Sequence, residues 1–267
     1  MARSEDFEHY YYEVFGDRWP ELRSALLTRG ESLAVGTQGK AQSPYYIDPA
    51  SAEPVRALEV QPGLEVLDMC AAPGGKTLLI AEALAGEGVL VANDRSAARR
   101  ARLHRVLDQH LSPNHRAVLS ITGHDATRWG LYERDRYDRI LLDAPCSSEA
   151  HVLSSPKALK VWSAKRPRRL ANQQYAMLRA AIDALRPGGL LVYSTCALAP
   201  AENESVVARL LQKKNVDARW TALPWEDAPS CAEQIGAGYR LWPDRCSGAG
   251  PIFLSLLTKR AGSVPQG

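Results

Sequence analysis

The stretch Leu64-Glu65-Val66-Leu67-Asp68-Met69-Cys70-Ala71-Ala72-Pro73-Gly74-Gly75-Lys76-Thr77 decides how the chain is read. Its first six residues follow the Pro62-Gly63 turn and predict a short apolar strand. Gly74-Gly75 then allows a tight turn whose backbone can approach a bound group closely. A helix is expected over residues 75–85. Two common phosphate-binding patterns fail here. G-x-G-x-x-G would need glycine where Cys70 and Ala72 stand. A Walker loop matches at Gly75-Lys76-Thr77 but would need glycine at Cys70. ATP hydrolysis is therefore set aside, and a cofactor-binding turn of another kind is expected.

Outward from this unit, strand and helix signals alternate. Residues 89–92 predict a second strand reaching Asp94, followed by an Arg-rich helix over 96–110. Strands follow at 117–121 and at 137–142, the latter ending at Asp143. The next helix spans 168–185, where Leu178, Ala181, Ile182 and Leu185 keep one-face spacing. Pro187-Gly188-Gly189 ends it before a strand at 190–194. Pro200 opens a helix reaching 211, and β segments are expected at 218–223 and 252–258. The expected fold is α/β: a doubly wound, Rossmann-like sheet, mostly parallel, with one antiparallel strand near the C-terminus. Residues 1–45 are expected to form a helical extension and 46–267 the main domain, joined through a Gly-rich loop at 36–39.

The 267 residues are 45% apolar and 24% charged, ordinary for a globular chain. No run approaches the ~18 apolar residues of a membrane span. Glu5, Asp6 and Glu8 make the start a poor secretion signal, so the cytosol is the default compartment, with the mitochondrial matrix as the alternative for an organellar form. Net charge is only +3, yet Lys157, Lys160, Lys165, Arg166, Arg168 and Arg169 fall within thirteen residues without an acid. This run is either a solvated face or a phosphate-contacting lip of the catalytic mouth. Phe7, Tyr10, Tyr11, Tyr12, Phe15 and Trp19 form an aromatic patch, read as helix packing or as base stacking. The five cysteines contain no Cys-x-x-Cys pair, so no metal site is expected. Their odd number argues against a disulfide framework, leaving each thiol as core filler or as a reactive group.

Asp68, Asp94 and Asp125 stand at or just after three successive strand ends, which line one crevice in such a sheet. Asp94 suits the two hydroxyls of a ribose, and Asp125 an adenine amine. Asp143-Ala144-Pro145-Cys146 closes the fourth strand and Ser194-Thr195-Cys196 the fifth, so both thiols are expected at the same rim. Two thiols there suit methylation of a cytosine at carbon 5. That carbon is a poor nucleophile until a thiolate adds to carbon 6. A free thiol of pKa ~8.5 is only a few per cent ionised at neutral pH, so Lys76 or a helix N-terminus would help. Asp143 would hold the N3/N4 edge of the base and assist proton transfer. The polar-Pro-Pro-aromatic run usual in amine methyltransferases is absent.

These segments resemble the Nol/Nop/Sun family of RNA cytosine-5 methyltransferases. The matching runs are residues 67–77, Asp143-Ala144-Pro145-Cys146-Ser147-Ser148 and Tyr193-Ser194-Thr195-Cys196. Phe15-Gly16-Asp17-Arg18-Trp19-Pro20, Trp129-Gly130, His151 and Glu202-Asn203-Glu204 make the chain most similar to the mitochondrial ribosomal-RNA branch. The resemblance implies S-adenosylmethionine as cofactor and RNA as partner, small-subunit rRNA first, with an accessory protein as another source of specificity. It implies Cys196 as nucleophile and Cys146 as the thiol that aids release, with Asp143 and Lys76 beside them. Ala71, Ala72, Pro73, Gly74, Gly75, Lys76, Asp94, Arg99, Asp125, Ala126 and Asp143 would contact the cofactor. The run Tyr46-Ile47-Asp48-Pro49-Ala50-Ser51 departs from the family, which often has Gln before that Asp and no Pro after it.

The competing readings are a tRNA methyltransferase, a DNA cytosine-5 methyltransferase and an idle assembly factor keeping the fold. The DNA enzymes need a target-recognition insert that is missing here. Retention of both cysteines and Asp143 weighs against an idle factor.

Overall fold

The computed structural model describes residues 2–28, 30–36, 39–41, 43–214, 216–222 and 229–260. The chain starts with α1 (Ala2–Phe15) and α2 (Trp19–Leu27), then an antiparallel ribbon of β1 (Leu33–Val35) and β2 (Tyr45–Ile47). The ribbon straddles the 45/46 division expected from sequence. A short α3 (Glu53–Arg56) leads to β3 (Glu65–Asp68), α4 (Gly75–Ala83), β4 (Val89–Asn93) and α5 (Ala97–His110). After these come α6 (Pro113–Ala117), β5 (Leu119–Thr122), β6 (Tyr137–Asp143), α7 (Glu149–Ser154), α8 (Pro156–Val161), α9 (Arg166–Ala184) and β7 (Leu185–Thr195). Last are α10 (Glu204–Leu211) and β8 (Ala218–Trp220), β9 (Ala232–Gln234), β10 (Tyr239–Leu241) and β11 (Ile252–Lys259).

The main sheet runs β5-β4-β3-β6-β7-β11-β10-β9, with β8 paired to β11. The five strands from β5 to β7 are parallel. β11 then runs antiparallel to β7, as the sequence predicts for a C-terminal strand. Strand order reverses between β3 and β6, which opens a crevice at their C-terminal ends. Alternation along the strands divides the core. Leu67, Ile140, Leu142, Leu191 and Tyr193 pack on the α9 side with Leu178 and Ile182. Val66, Leu90, Leu141 and Val192 face Leu78, Leu103 and Leu107 of α4 and α5.

Several boundaries differ from expectation. The third strand starts at Leu119, because Ser112 caps a helical turn by accepting from His115 N at 3.3 Å, with Pro113 opening it. Strand β7 begins at Leu185, which pairs with Tyr137. Residues 186–189 then bulge out before Leu190 pairs with Arg139. The helix expected from Pro200 is a single tight turn, Pro200–Glu202, followed by α10. Strands β9 and β10 have no counterpart in the sequence reading. The expected 218–223 segment ends at Trp220, and residue 223 lies outside the described residues, as do 37 and 38 of the Gly-rich loop and the 261–267 end of the expected main domain.

The expectation for the cysteines also needs correcting. Cys231 and Cys246 form a disulfide, with Cα atoms 5.5 Å apart. They flank the antiparallel pair β9–β10, whose return brings two distant chain positions together. The count of five was uninformative because three other thiols serve elsewhere.

Three residues of the aromatic patch are core, whereas Tyr12 is exposed. Phe7, Tyr11 and Trp19 are buried with Trp162, Leu198 and Trp242. The Tyr11 hydroxyl donates to Glu149 Oε1 at 2.5 Å, and Glu149 Oε2 accepts from Leu198 N at 2.9 Å. The first helices thus brace the segment just beyond Cys196. Buried rings cannot stack on a base, which removes that reading for these three residues.

Candidate active site

Asp143 at the end of β6 pairs in register with Ser194 of β7. The two thiols therefore leave adjacent strands at the same edge. Cys146 Sγ and Cys196 Sγ are 3.1 Å apart. Asp143 is held from two sides: Lys76 Nζ donates to Oδ2 at 2.8 Å and Ser194 Oγ to Oδ1 at 2.9 Å. Lys76 comes from the first turn of α4, set there by the turn after β3. Just past Cys146, Ser148 has φ +52°, a left-handed conformation costly for a residue with a Cβ, and such strain collects at functional loops.

The thiols differ electrostatically. The hydrogen bond from Cys146 holds the Cys196 pKa below that of an ordinary thiol, against the burial that would raise it, and Lys76 acts in the same direction. The same hydrogen bond, with burial, pushes Cys146 well up, so it stays a thiol. Burial would pull the Lys76 ammonium down, but Asp143 beside it overrides this and keeps Lys76 above the ordinary lysine value. The arrangement is a thiol whose ionisation is favoured, a thiol donor and a fixed ion pair.

Two cavities meet at Cys70. The first, about 220 Å³, is lined by Ala71, Ala72, Pro73, Gly75, Lys76 and Asp143 together with Tyr45, Tyr46, Asp48 and Asp68. The second, about 370 Å³, is lined by Met69, Asp94, Arg99, Asp125, Ala126 and Met177 among others. All the expected cofactor residues except Gly74 line one cavity or the other. Gly74 holds the turn instead, at φ +123°, a conformation that only glycine adopts readily. At Gly75 a Cβ would sit 2.5 Å from Ile47 Cγ2, so only glycine fits there.

Asp94 is buried. Its Oδ1 accepts from Ser96 N at 2.9 Å, and Arg99 lies 3.4 Å from Oδ2. Arg99 also donates to the Ala72 carbonyl, which ties α5 to the turn. Asp125 accepts from Thr127 N and Oγ1 at 3.1 and 2.8 Å. Burial opposes ionisation of Asp125 slightly, and these bonds outweigh it and lower its pKa.

Sequence reasoning noted three groups without foreseeing their contacts. Asp68 is fully buried and its pKa is raised to about 7 by burial. Thr77 Oγ1 donates to its Oδ2 at 2.7 Å, while Oδ1 has no partner. The departing run at 46–51 does line the first cavity, through Tyr46, Ile47, Asp48 and Ser51, with Asp48 fixed by Ala50 N at 2.8 Å and by Gly250 N. Behind the Cys146 loop, buried Glu202 Oε2 accepts from Ser147 N at 3.0 Å and Gln174 Nε2 at 2.8 Å, and Gln174 also donates to the Pro145 carbonyl. The Glu-Asn-Glu run marked the position of Glu202 without its partners.

None of Lys157, Lys160, Lys165, Arg166, Arg168 and Arg169 lines either cavity. They lie on α8 and the start of α9, and α9 reaches the second cavity one turn later, at Gln173. Among the described residues, no helix is long and apolar enough to cross a membrane, and no cluster of three or more His, Cys, Asp or Glu could hold a metal.

A 5-cytosine rRNA methyltransferase NSUN4 from Xenopus laevis is 41% identical over 177 residues, 65% of this chain and 43% of its own length. A mitochondrial tRNA (cytosine(34)-C(5))-methyltransferase from Danio rerio is 36% identical over 80% of this chain and 60% of its own. The crystal structure of NSun6 from Pyrococcus horikoshii with SFG superimposes with TM-score 0.67 and 28% identity, covering 82% of this chain and 54% of that one. The chain thus spans about half the length of the curated relatives it matches. The family model described as 16S rRNA methyltransferase RsmB/F matches residues 55–258. Together with the paired thiols at the ends of β6 and β7, this shows that the chain belongs to the RsmB/F family, the Nol/Nop/Sun group of methyltransferases.

Proposed function

We propose that this chain methylates carbon 5 of a cytosine in RNA, using S-adenosylmethionine, with Cys196 as the nucleophile. The observation that carries the reading is the Cys146–Cys196 pair at 3.1 Å, at the strand edge that also holds the Lys76–Asp143 ion pair.

The residues present fit the cofactor. Asp94 would take the ribose hydroxyls, and Asp125 and Ala126 the adenine. The unpartnered Asp68 Oδ1 suits an ammonium group, and Gly75 lets Ile47 and Tyr45 close over the turn. Bound there, S-adenosylmethionine supplies an electrophilic methyl group for carbon 5.

The chain's own residues do the rest. Cys196 Sγ bonds to carbon 6, the carbon 5–carbon 6 π pair shifts to form a carbon 4–carbon 5 double bond, and the carbon 4–N3 π pair moves onto N3, which takes a proton; the resulting enamine is nucleophilic at carbon 5. Asp143 orients the N3/N4 edge and relays the proton that N3 gains from solvent and later returns. Once carbon 5 carries the methyl group, its proton passes to solvent and the carbon 6–sulfur bond breaks. Cys146, held as a thiol, donates to the departing Cys196 sulfur. The net change is methylcytosine, S-adenosylhomocysteine and one proton.

The substrate in this reading is folded small-subunit rRNA, and the site of action is the cytoplasm, or the matrix for an organellar form. The relatives' names and the family description favour rRNA. The test incubates the purified chain and labelled cofactor with unmodified small subunits, tRNA and a short oligonucleotide, and counts 5-methylcytosine. Methylation of subunits alone is expected. Methylation of tRNA alone moves the substrate to tRNA, and no 5-methylcytosine in any RNA overturns the reading.

A further inference from the structure

We infer that Arg102 and Arg105 of α5, with Tyr45, form a phosphate-binding track that leads the RNA strand away from the catalytic cavity. The inference rests on the RNA-methylation reading above and adds where the strand lies.

The observation is a third cavity, about 300 Å³, whose wall includes Arg102, Arg105, Gln109, His110 and Tyr45. Tyr45 lines this cavity and also the first one, the cavity of Lys76 and Asp143, called the catalytic cavity here for that ion pair. Its ring stands edge-on to the His110 ring, with centroids 5.6 Å apart, and close to Gly75 of the cofactor turn. The two cavities therefore share one aromatic wall. Tyr46, 60% exposed, lies on the catalytic side of that wall, where a flanking base could stack.

The arginines of this helix divide into two sets. Arg99 is engaged by Asp94 and the Ala72 carbonyl, and Arg100 by the carbonyls of Asp94 and Arg95. Arg102 and Arg105 are exposed, three residues apart on one face. Among the described residues neither has a hydrogen-bond or ion-pair partner. Asp108, three residues on from Arg105, is taken by Arg116 at 2.9 Å. Two unpaired guanidinium groups in a concave wall that shares Tyr45 with the cavity of Lys76 and Asp143 match successive phosphates of a strand whose target base has reached that ion pair. The basic run of α8 and α9 lines neither catalytic nor cofactor cavity, so it lacks this continuity.

The test uses the purified chain and a fluorescein-labelled RNA hairpin with cytosines in its loop, titrated between about 50 and 200 mM salt. The Arg102→Gln/Arg105→Gln variant is expected to bind several-fold more weakly. Its slope of log affinity against log salt should be shallower by about 1.4, two single-strand phosphates' worth. Arg102→Lys/Arg105→Lys should keep most of the slope, and S-adenosylmethionine affinity by calorimetry should not change. Both side chains are exposed and unpaired, so the variants should melt like the parent. A parent that binds RNA and a Gln variant with the same slope would overturn the track alone. Slope loss in Lys165→Gln/Arg168→Gln but not in the α5 variant would also overturn it. A parent that binds no RNA would sink the track and the methylation reading together.

Discussion

Cys146 and Cys196, fifty positions apart in sequence, are brought to a sulfur–sulfur distance of 3.1 Å because β6 and β7 are neighbours that end in register. The hydrogen bond between them acts oppositely on its two ends, lowering the pKa of Cys196 and raising that of Cys146. One thiol is thereby readied to attack and the other to donate.

Cys196→Ala is expected to abolish methyl transfer and covalent capture of RNA. Cys146→Ala should still attack but release poorly, so a protein–RNA adduct should accumulate on denaturing gels. An adduct in Cys196→Ala and none in Cys146→Ala would reverse the roles.

Lys76→Met should move the acid limb of the rate of adduct formation to higher pH. Lys76 lowers the Cys196 pKa directly, and it also offsets Asp143, which raises it. Removing the ammonium acts in one direction through both routes. The direction is the prediction, since a neighbouring cation favours the ionised form of a thiol. Single-turnover rates across pH decide it, and an unmoved limb would clear Lys76 of this role.

Asp94→Ala should weaken S-adenosylmethionine binding by roughly 10- to 100-fold, the cost of a charge-assisted hydrogen bond of about 1.5–3 kcal/mol. Calorimetry at fixed salt measures it. Equal affinity would take Asp94 out of the cofactor site.

What the sequence made readable was local to strand ends. The turn at 70–77, Asp94, Asp125, Asp143 and the two thiols all lie within a few residues of an apolar run that names its own strand. A parallel sheet sends such ends to one edge, so their convergence needs no knowledge of distant packing. Tyr45, Tyr46 and Asp48 escaped because a ribbon more than twenty residues upstream folds over the turn at Gly75. Glu202 escaped for a similar reason: its partners Ser147 and Gln174 come from two other elements. For the basic run, charge in sequence does not say which face of α8 and α9 looks toward the cavities, and none of its six residues lines either of the two at the cofactor turn. Pairing of Cys231 with Cys246 depends on two short strands, β9 and β10, too brief and polar to be foreseen.

Glu202 is also the place where pH should act on stability. Its carboxyl is buried, and burial, with Glu149 nearby, raises its pKa from 4.5 to about 8. A folded-state pKa above the unfolded one means that the native state holds the proton more tightly. The associated stability is therefore complete below about pH 4.5 and is lost as pH rises through about 8. In Glu202→Gln the amide carries no titrating group, yet its oxygen could still accept from Ser147 N. Urea unfolding of the parent and of Glu202→Gln across that window should show the variant gaining on the parent as pH rises, by on the order of a few kcal/mol. Asp68, raised to about 7, titrates in the same window but contributes equally to both proteins, so it cancels in the difference. Glu149 couples to Glu202, and its own rise should relax slightly in the variant, which adds to the same trend. Parallel stability curves would mean that Glu202 stays ionised in the fold, with its unpartnered Oε1 satisfied by water.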